Sequence, residues 1–192
     1  MKEEHKISQP IGFFEQCIPS ELIDLIVKEV DTINGNNYAK ASIGSLSDCQ
    51  IMEETRNSKI SWWYEEHWVS SIFSHYFNKA NRDIWEYDLN YLSGIQISRY
   101  DANDHYSWHC DYGTSTNAIY TRKLSATLLV SDPSDYEGGD LEFIDYHGNF
   151  ISAPRKKGTM IIFDSRIPHR VTPVTKGTRL SLVTWMLGPK LK

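Results

Sequence analysis

The chain has 192 residues, with 20 basic against 25 acidic side chains and a net charge of −5. That length suits one domain with a substantial core, and 40% hydrophobic with 23% charged residues is ordinary globular composition. No apolar run approaches the roughly 20 residues of a membrane-spanning helix, and the acidic balance argues against a general nucleic-acid binder, which needs clustered Lys and Arg to neutralise phosphates.

The opening MKEEHKISQP lacks the apolar stretch of a secretory signal. Cys17, Cys49 and Cys110 form no disulfide framework, so reduced thiols and a cytoplasmic location are expected. The first third reads as helical. Ser20 is the expected N-cap of a helix carrying Leu22, Ile23, Leu25, Ile26, Val27 and Val30. Residues 34–59 are polar and rich in Asn, Ser and Gly, which predicts a loop or short irregular strands. A second helix is expected over 65–81, burying Trp68, Ile72, Phe73, Tyr76 and Phe77.

From Tyr91 the pattern changes to short β-rich runs. Strands are predicted at 94–100, 107–112, 124–131, 140–145, 149–153, 159–164, 169–173 and 179–187, with turns at DANDH, DPSDYEGG, YHGN, PRKKG and VTKG. Short strands at this spacing suit a sandwich or jelly roll better than alternating βαβ units. The expected architecture is mainly β with N-terminal helices. It is one domain over 1–192, with a helical layer (1–90) packed on the major sheet of a β-sandwich (91–190).

In an extended strand, residues i and i+2 project to one face, so His109 and Asp111 can chelate one ion while Cys110 points away. With His169 far downstream they form the pattern of a two-histidine, one-carboxylate facial triad. That set holds Fe(II) on one face and leaves the other positions open. Catalytic zinc accepts the same ligands. What favours iron lies beyond His169. Arg179 and Ser181 share one face of a strand with apolar neighbours Leu180, Leu182 and Val183, where an unpaired arginine would be expensive. A rigid guanidinium fork with a hydroxyl at i+2 is a natural anchor for the distal carboxylate of a dicarboxylate such as 2-oxoglutarate. Among the other histidines, His105 is the only rival ligand, and its loop position makes it a second-sphere or solvent-facing residue.

With these residues in view, the chain resembles the Fe(II)/2-oxoglutarate-dependent dioxygenases of the prolyl 4-hydroxylase-like group, over about 92–188. The stretches LSATLLVSDPSDYEGGDLEF and PHRVTPVTKGTRLSLVTW are similar to the bacterial PKHD-type hydroxylases. FFEQCIPSELIDLI, expected to be helical, and RNSKISWW match more loosely. The resemblance implies a double-stranded β-helix (jelly roll), with metal ligands His109, Asp111 and His169. It implies that Arg179, Ser181, Tyr100 and Thr127 hold 2-oxoglutarate, and that Tyr106, Arg122 and Trp185 line a substrate groove. Fe(II), 2-oxoglutarate and O₂ are the implied cofactors and cosubstrates, with ascorbate as a reductant.

The reaction so implied is hydroxylation of a C–H bond with release of succinate and CO₂. Asp111 occupies the ligand position that related halogenases leave vacant, so hydroxylation is favoured over halogenation. The favoured substrate is a peptidyl proline in a peptide or protein. A small molecule, another side chain or a nucleobase remains open, the last disfavoured by the negative charge. A non-catalytic metal-binding β-sandwich module and a zinc hydrolase are readings of another class; the hydrolase would not require Arg179 or Tyr100. No membrane partner is expected, and the oligomeric state is left open.

Overall fold

The computed structural model describes residues 11–35, 37–42, 54–64, 66–112 and 119–190. Its elements in chain order are β1 (Ile11–Phe14), α1 (Ser20–Glu29), β2 (Ala39–Lys40), β3 (Arg56–Asn57), β4 (Lys59–Trp63), α2 (Val69–Ala80), β5 (Tyr91–Leu92), β6 (Ile95–Tyr100), β7 (His105–His109) and β8 (Tyr120–Leu129). There follow β9 (Tyr136–Gly138), β10 (Leu141–Ile144), β11 (Phe150–Ser152), β12 (Met160–Asp164), β13 (His169–Val171), β14 (Val174–Gly177) and β15 (Arg179–Pro189).

The strands form a large sheet in the order β1-β12-β8-β15-β6-β4-β2, with β5 paired to β15, and a smaller sheet in the order β11-β10-β13-β7-β3. All pairings are antiparallel, as in a jelly roll. The central strands of the large sheet are covered on both faces, and strand periodicity divides their side chains between two cores. Met160 and Ile162 of β12 pack with Ile23, Ile26, Phe73 and Phe77 of the helices, whereas Ile161 and Phe163 pack with Phe143 and Val171 of the smaller sheet. Ile95, Ile97, Leu124, Ala126, Leu128, Leu182 and Met186 join the helix-side core.

The intervening residues of β6, β8 and β15 are polar yet buried: Gln96, Ser98, Ser125, Thr127, Arg179 and Ser181. A sandwich interior built for packing alone would be apolar, because each buried polar group must find a partner. This polar strip on the inner face locates the site.

Several local expectations change. Ser20 is the first helical residue, not the cap; the extended Pro19 precedes it, and its carbonyl accepts from Leu22 N and Ile23 N at 3.1 Å each. The second helix starts at Val69, four residues later than expected. Phe13 and Phe14, expected to be helical, end β1, which pairs with β12 at the sheet edge. The first ninety residues thus supply strands to both sheets as well as helices. The predicted turns DPSDYEGG and VTKG contain β9 and β14, which pair as a ribbon. Cys49 lies outside the described residues.

Candidate metal and dicarboxylate site

His109 ends β7, and His169 opens β13 directly opposite it in the smaller sheet. Asp111 follows two residues after His109. Its Oδ1 lies 3.7 Å from His109 Nε2 and its Oδ2 lies 3.5 Å from His169 Nε2. One ligand atom from each of the three residues falls within 4.8 Å of the others. The imidazoles are oriented from behind: Nδ1 of His109 contacts the Ser107 carbonyl at 2.8 Å and Nδ1 of His169 the Ile167 carbonyl at 2.9 Å. A carbonyl only accepts, so Nδ1 carries the proton and the Nε2 lone pair faces the cluster, as a metal ligand requires.

Electrostatics favour the same protonation states. Burial, reinforced by the neighbouring His169, pushes the His109 imidazole down to about 3, so it stays neutral. Burial alone would raise Asp111, but His169, His109 and Arg122 together hold it at about 2. Two imidazoles that turn Nε2 to the cluster, with one carboxylate between them, fit a hard-to-intermediate divalent cation.

Tyr106 stacks on the His109 ring at a centroid distance of 3.5 Å and an interplanar angle of 15°. In a regular strand these residues, three apart, would face opposite ways. The register between β13 and β7 shifts between the His169–His109 and Val171–Tyr106 pairs, and this bulge brings both rings inward. Trp108 turns outward, as its alternation with His109 predicts, and packs against Phe150 and Arg170. His105 contacts the carbonyls of Asn103 and Glu54 and does not join the metal cluster.

Across the pocket, β15 pairs Arg179 with Tyr100 and Ser181 with Ser98 of β6, and Val183 with Thr127 of β8. Arg179 is 2% exposed, and its hydrogen bond runs from Nη1 to Ser181 Oγ at 3.0 Å. Its Nε has no partner among the described residues. An orphaned donor on a buried cation fits an anionic ligand. Tyr100, Thr127, Ser181, Arg179 and Tyr106 line the same pocket as the metal cluster, closed on the apolar side by Leu141, Phe163, Val171 and Val183.

Arg122 and Trp185, expected in the substrate groove, do not line that pocket. They stack on each other with the guanidinium 3.7 Å from the ring centroid, within electrostatic reach of Asp111. Trp62, 46% exposed, continues this aromatic surface with its ring 6.2 Å from Trp185. Two polar pocket residues escaped the sequence reading. Gln96 was visible in principle, as the polar residue between Ile95 and Ile97 on an alternating strand. Arg56 carried no such signal, since only the β3–β7 pairing brings it in.

Residues 95–187, which carry every ligand and anchor described, match the family model of the 2OG-Fe(II) oxygenase superfamily. Its curated relatives include PKHD-type hydroxylases. One from Janthinobacterium sp. (strain Marseille) is 34% identical over 94 residues, covering 47% of this chain and 41% of its own length. One from Synechococcus sp. (strain CC9902) is 42% identical over 96 residues, covering 50% and 41%. The chain thus spans about two fifths of the length of the curated relatives it matches. Among solved structures, a Pseudomonas putida prolyl-4-hydroxylase superposes with a TM-score of 0.73 at 17% identity, covering 96% of this chain and 95% of that one. A Trichoplax adhaerens prolyl hydroxylase in complex with a hypoxia-inducible-factor peptide fragment superposes at 0.79 and 14%, covering 94% and 84%. These similarities establish the prolyl-hydroxylase jelly roll as the fold. Among the described residues, no helix is long and apolar enough to cross a membrane.

Proposed function

We propose that this protein is an Fe(II)- and 2-oxoglutarate-dependent hydroxylase, with a peptidyl proline as the favoured substrate and a small molecule as the alternative. The observation that carries the reading is one pocket containing both a His109–Asp111–His169 ligand set and a buried, carboxylate-free Arg179. Zinc hydrolysis uses the first and has no need of the second.

In this reading the two Nε2 atoms and the Asp111 carboxylate hold the metal. Arg179 and the Ser181 hydroxyl grip the far carboxylate of 2-oxoglutarate, with Tyr100 and Thr127 contributing hydroxyls from the same wall. The bound iron supplies O₂ activation coupled to oxidative decarboxylation, giving succinate, CO₂ and a hydroxylated product. The chain supplies orientation and dryness. Tyr106, buried enough that its phenol is pushed up to about 12, stays protonated and braces His109. Phe163, Val171 and Val183 keep bulk water from the dicarboxylate. Trp185, Arg122 and Tyr106 form the side from which substrate approaches. The proline preference is supported by what the structural neighbours are named for, a prolyl-4-hydroxylase and a prolyl hydroxylase holding a peptide.

The test is anaerobic addition of Fe(II) and 2-oxoglutarate, followed by the weak visible charge-transfer band of the chelate. A band, and succinate release that depends on a proline peptide, is expected. No band, with no succinate over a panel of peptides and metabolites, sinks the oxygenase reading. A band with succinate release on a small molecule alone moves the substrate to the alternative.

A further inference from the structure

The chain has eight arginines, and the described residues sort them sharply. Arg82, Arg99, Arg155, Arg166 and Arg170 each pair with a carboxylate: Asp83, Asp101, Asp140, Asp164 and Glu142. Arg56, Arg122 and Arg179 have no carboxylate within ion-pair distance among the described residues; Arg56 and Arg179 line the pocket of the metal ligands, and Arg122 lies beside it within electrostatic reach of Asp111. One unpaired arginine is explained by 2-oxoglutarate. Two are not.

Arg56 is 7% exposed. Its hydrogen bond goes from Nε to Ser58 Oγ at 3.0 Å, and its guanidinium lies 4.5 Å from the centre of the Tyr106 ring. Arg122 makes no hydrogen bond to the described residues and rests on Trp185. Its position is built rather than incidental. Along β8, Leu124, Ala126 and Leu128 face the helices, so a regular strand would send Arg122 there too. The pairing with β15 slips between Met186–Leu124 and Leu187–Arg122, leaving Lys123 as the extra residue. The bulge reverses the alternation and turns Arg122 onto the inner face over Trp185, a re-aiming that bulges beside active sites perform. Placing a cation there costs desolvation that the Trp185 ring and the Asp111 charge offset only in part, and an anion in direct contact would offset the rest.

Charges already assigned to the site do not supply it. In the hydroxylase reading Asp111 and one carboxylate of 2-oxoglutarate would be taken up by the metal, and the other carboxylate by Arg179. We propose that the substrate carries a carboxylate close to the C–H bond to be oxidised, and that Arg122, assisted by Arg56, binds it. The inference rests on the hydroxylase reading and adds the charge of its substrate. The carboxylate has two possible sources, the terminal carboxylate of a small or C-terminal proline compound, or an acidic side chain next to an internal proline.

The experiment uses protein holding Fe(II) and 2-oxoglutarate without oxygen, so the chelate band first reports whether the underlying reading stands. Two matched pairs of probes are then titrated, following Trp fluorescence and perturbation of the band. They are N-acetylproline against its amide, and a capped Pro-Glu dipeptide against Pro-Gln. The acid of at least one pair should bind about tenfold or more tighter than its neutral partner, the scale of one charge-assisted hydrogen bond. The pair that discriminates identifies the source. Arg122→Gln should remove the discrimination while the band persists, Arg122→Lys should restore part of it, and Arg56→Gln should reduce it. Equal binding within both pairs, or no binding by either acid up to about 10 mM, with the band intact, overturns the proposal. Loss of the band in the parent protein counts against the hydroxylase reading instead.

Discussion

Arg179 and Tyr100 are directly opposed across the β15–β6 pair, with the guanidinium carbon 5.5 Å from the centre of the phenol ring. The buried cation thus has one hydroxyl partner, Ser181, and an aromatic neighbour, but no carboxylate among the described residues. A protein selected for stability alone would place an apolar side chain here. The arrangement makes sense when the missing charge arrives with a ligand.

Arg179→Met should therefore separate stability from binding. Methionine fills similar volume without a charge to desolvate, so the ligand-free variant should melt at or above the parent temperature. Its affinity for 2-oxoglutarate should fall about a hundredfold, in line with roughly 3 kcal/mol for losing one partner of a buried charged pair. Calorimetry without cosubstrate and titration of the chelate band check the two halves. Retained affinity would remove Arg179 from the site.

The turn that ends β9 bears on the same side chain. Gly139 has φ +65°, and a Cβ built there would lie 2.9 Å from Val174 Cγ2 and 3.0 Å from Arg179 Cδ. Gly139→Ala should cost about 1–2 kcal/mol through the left-handed backbone. It should also displace the arginine, weakening 2-oxoglutarate about tenfold. A variant destabilised to that extent with unchanged 2-oxoglutarate affinity would show that Arg179 tolerates the shift.

The parts of this molecule legible in its sequence are those set by local periodicity and by motif spacing. The strands IQISRY and RLSLVTW alternate plainly, so their residues split between helix-side and inner faces as expected. The facial triad needed only a two-residue strand spacing and one later histidine. What escaped depended on register. No local pattern says that β7 bulges between Tyr106 and His109, or that β8 bulges at Lys123, yet those slips decide which rings and cations face the pocket. Arg56 reaches the site only through a two-residue pairing of β3 with β7. The N-cap was misplaced because an extended proline carbonyl closed the first turn without a side-chain oxygen.

Behind the metal cluster, Asp164 is 1% exposed and accepts from Tyr87 Oη at 2.6 Å, Tyr146 Oη at 3.0 Å and Arg166 Nε at 2.9 Å. Burial works to raise its carboxyl, but the hydrogen bonds from Arg166 and Tyr87 prevail and hold it below the usual 3.8. A depressed folded value means that its stabilisation is present above the unfolded value and lost as pH falls through the folded one. Asp164→Asn should cost about 1–2 kcal/mol near neutrality, since the buried carboxylate loses the charge that strengthens its hydrogen bonds from Tyr87, Tyr146 and the exposed Arg166. The gap between variant and parent should close only below pH 3.8. Denaturant melts across that range test it, and a gap that closes already near pH 6 would contradict the assignment.

Asp111 offers the most direct separation of metal from fold. Its carboxylate stands 3.7 and 3.5 Å from the two Nε2 atoms and is the only anionic member of the triad. A cation at a hundred times its dissociation constant stabilises the folded protein by about 2.7 kcal/mol. In a domain of this size that is roughly 5–10 °C in melting temperature. Mn(II), Fe(II) and Zn(II) should all raise the melting temperature of the parent, with Zn(II) acting at the lowest concentration because nitrogen and oxygen ligands bind it more tightly. Among these cations Fe(II) alone should give the coloured chelate with 2-oxoglutarate. Asp111→Ala should abolish turnover and the melting shift for every cation, while the metal-free protein still folds cooperatively. A variant that keeps the full Mn(II) shift would place the ion elsewhere.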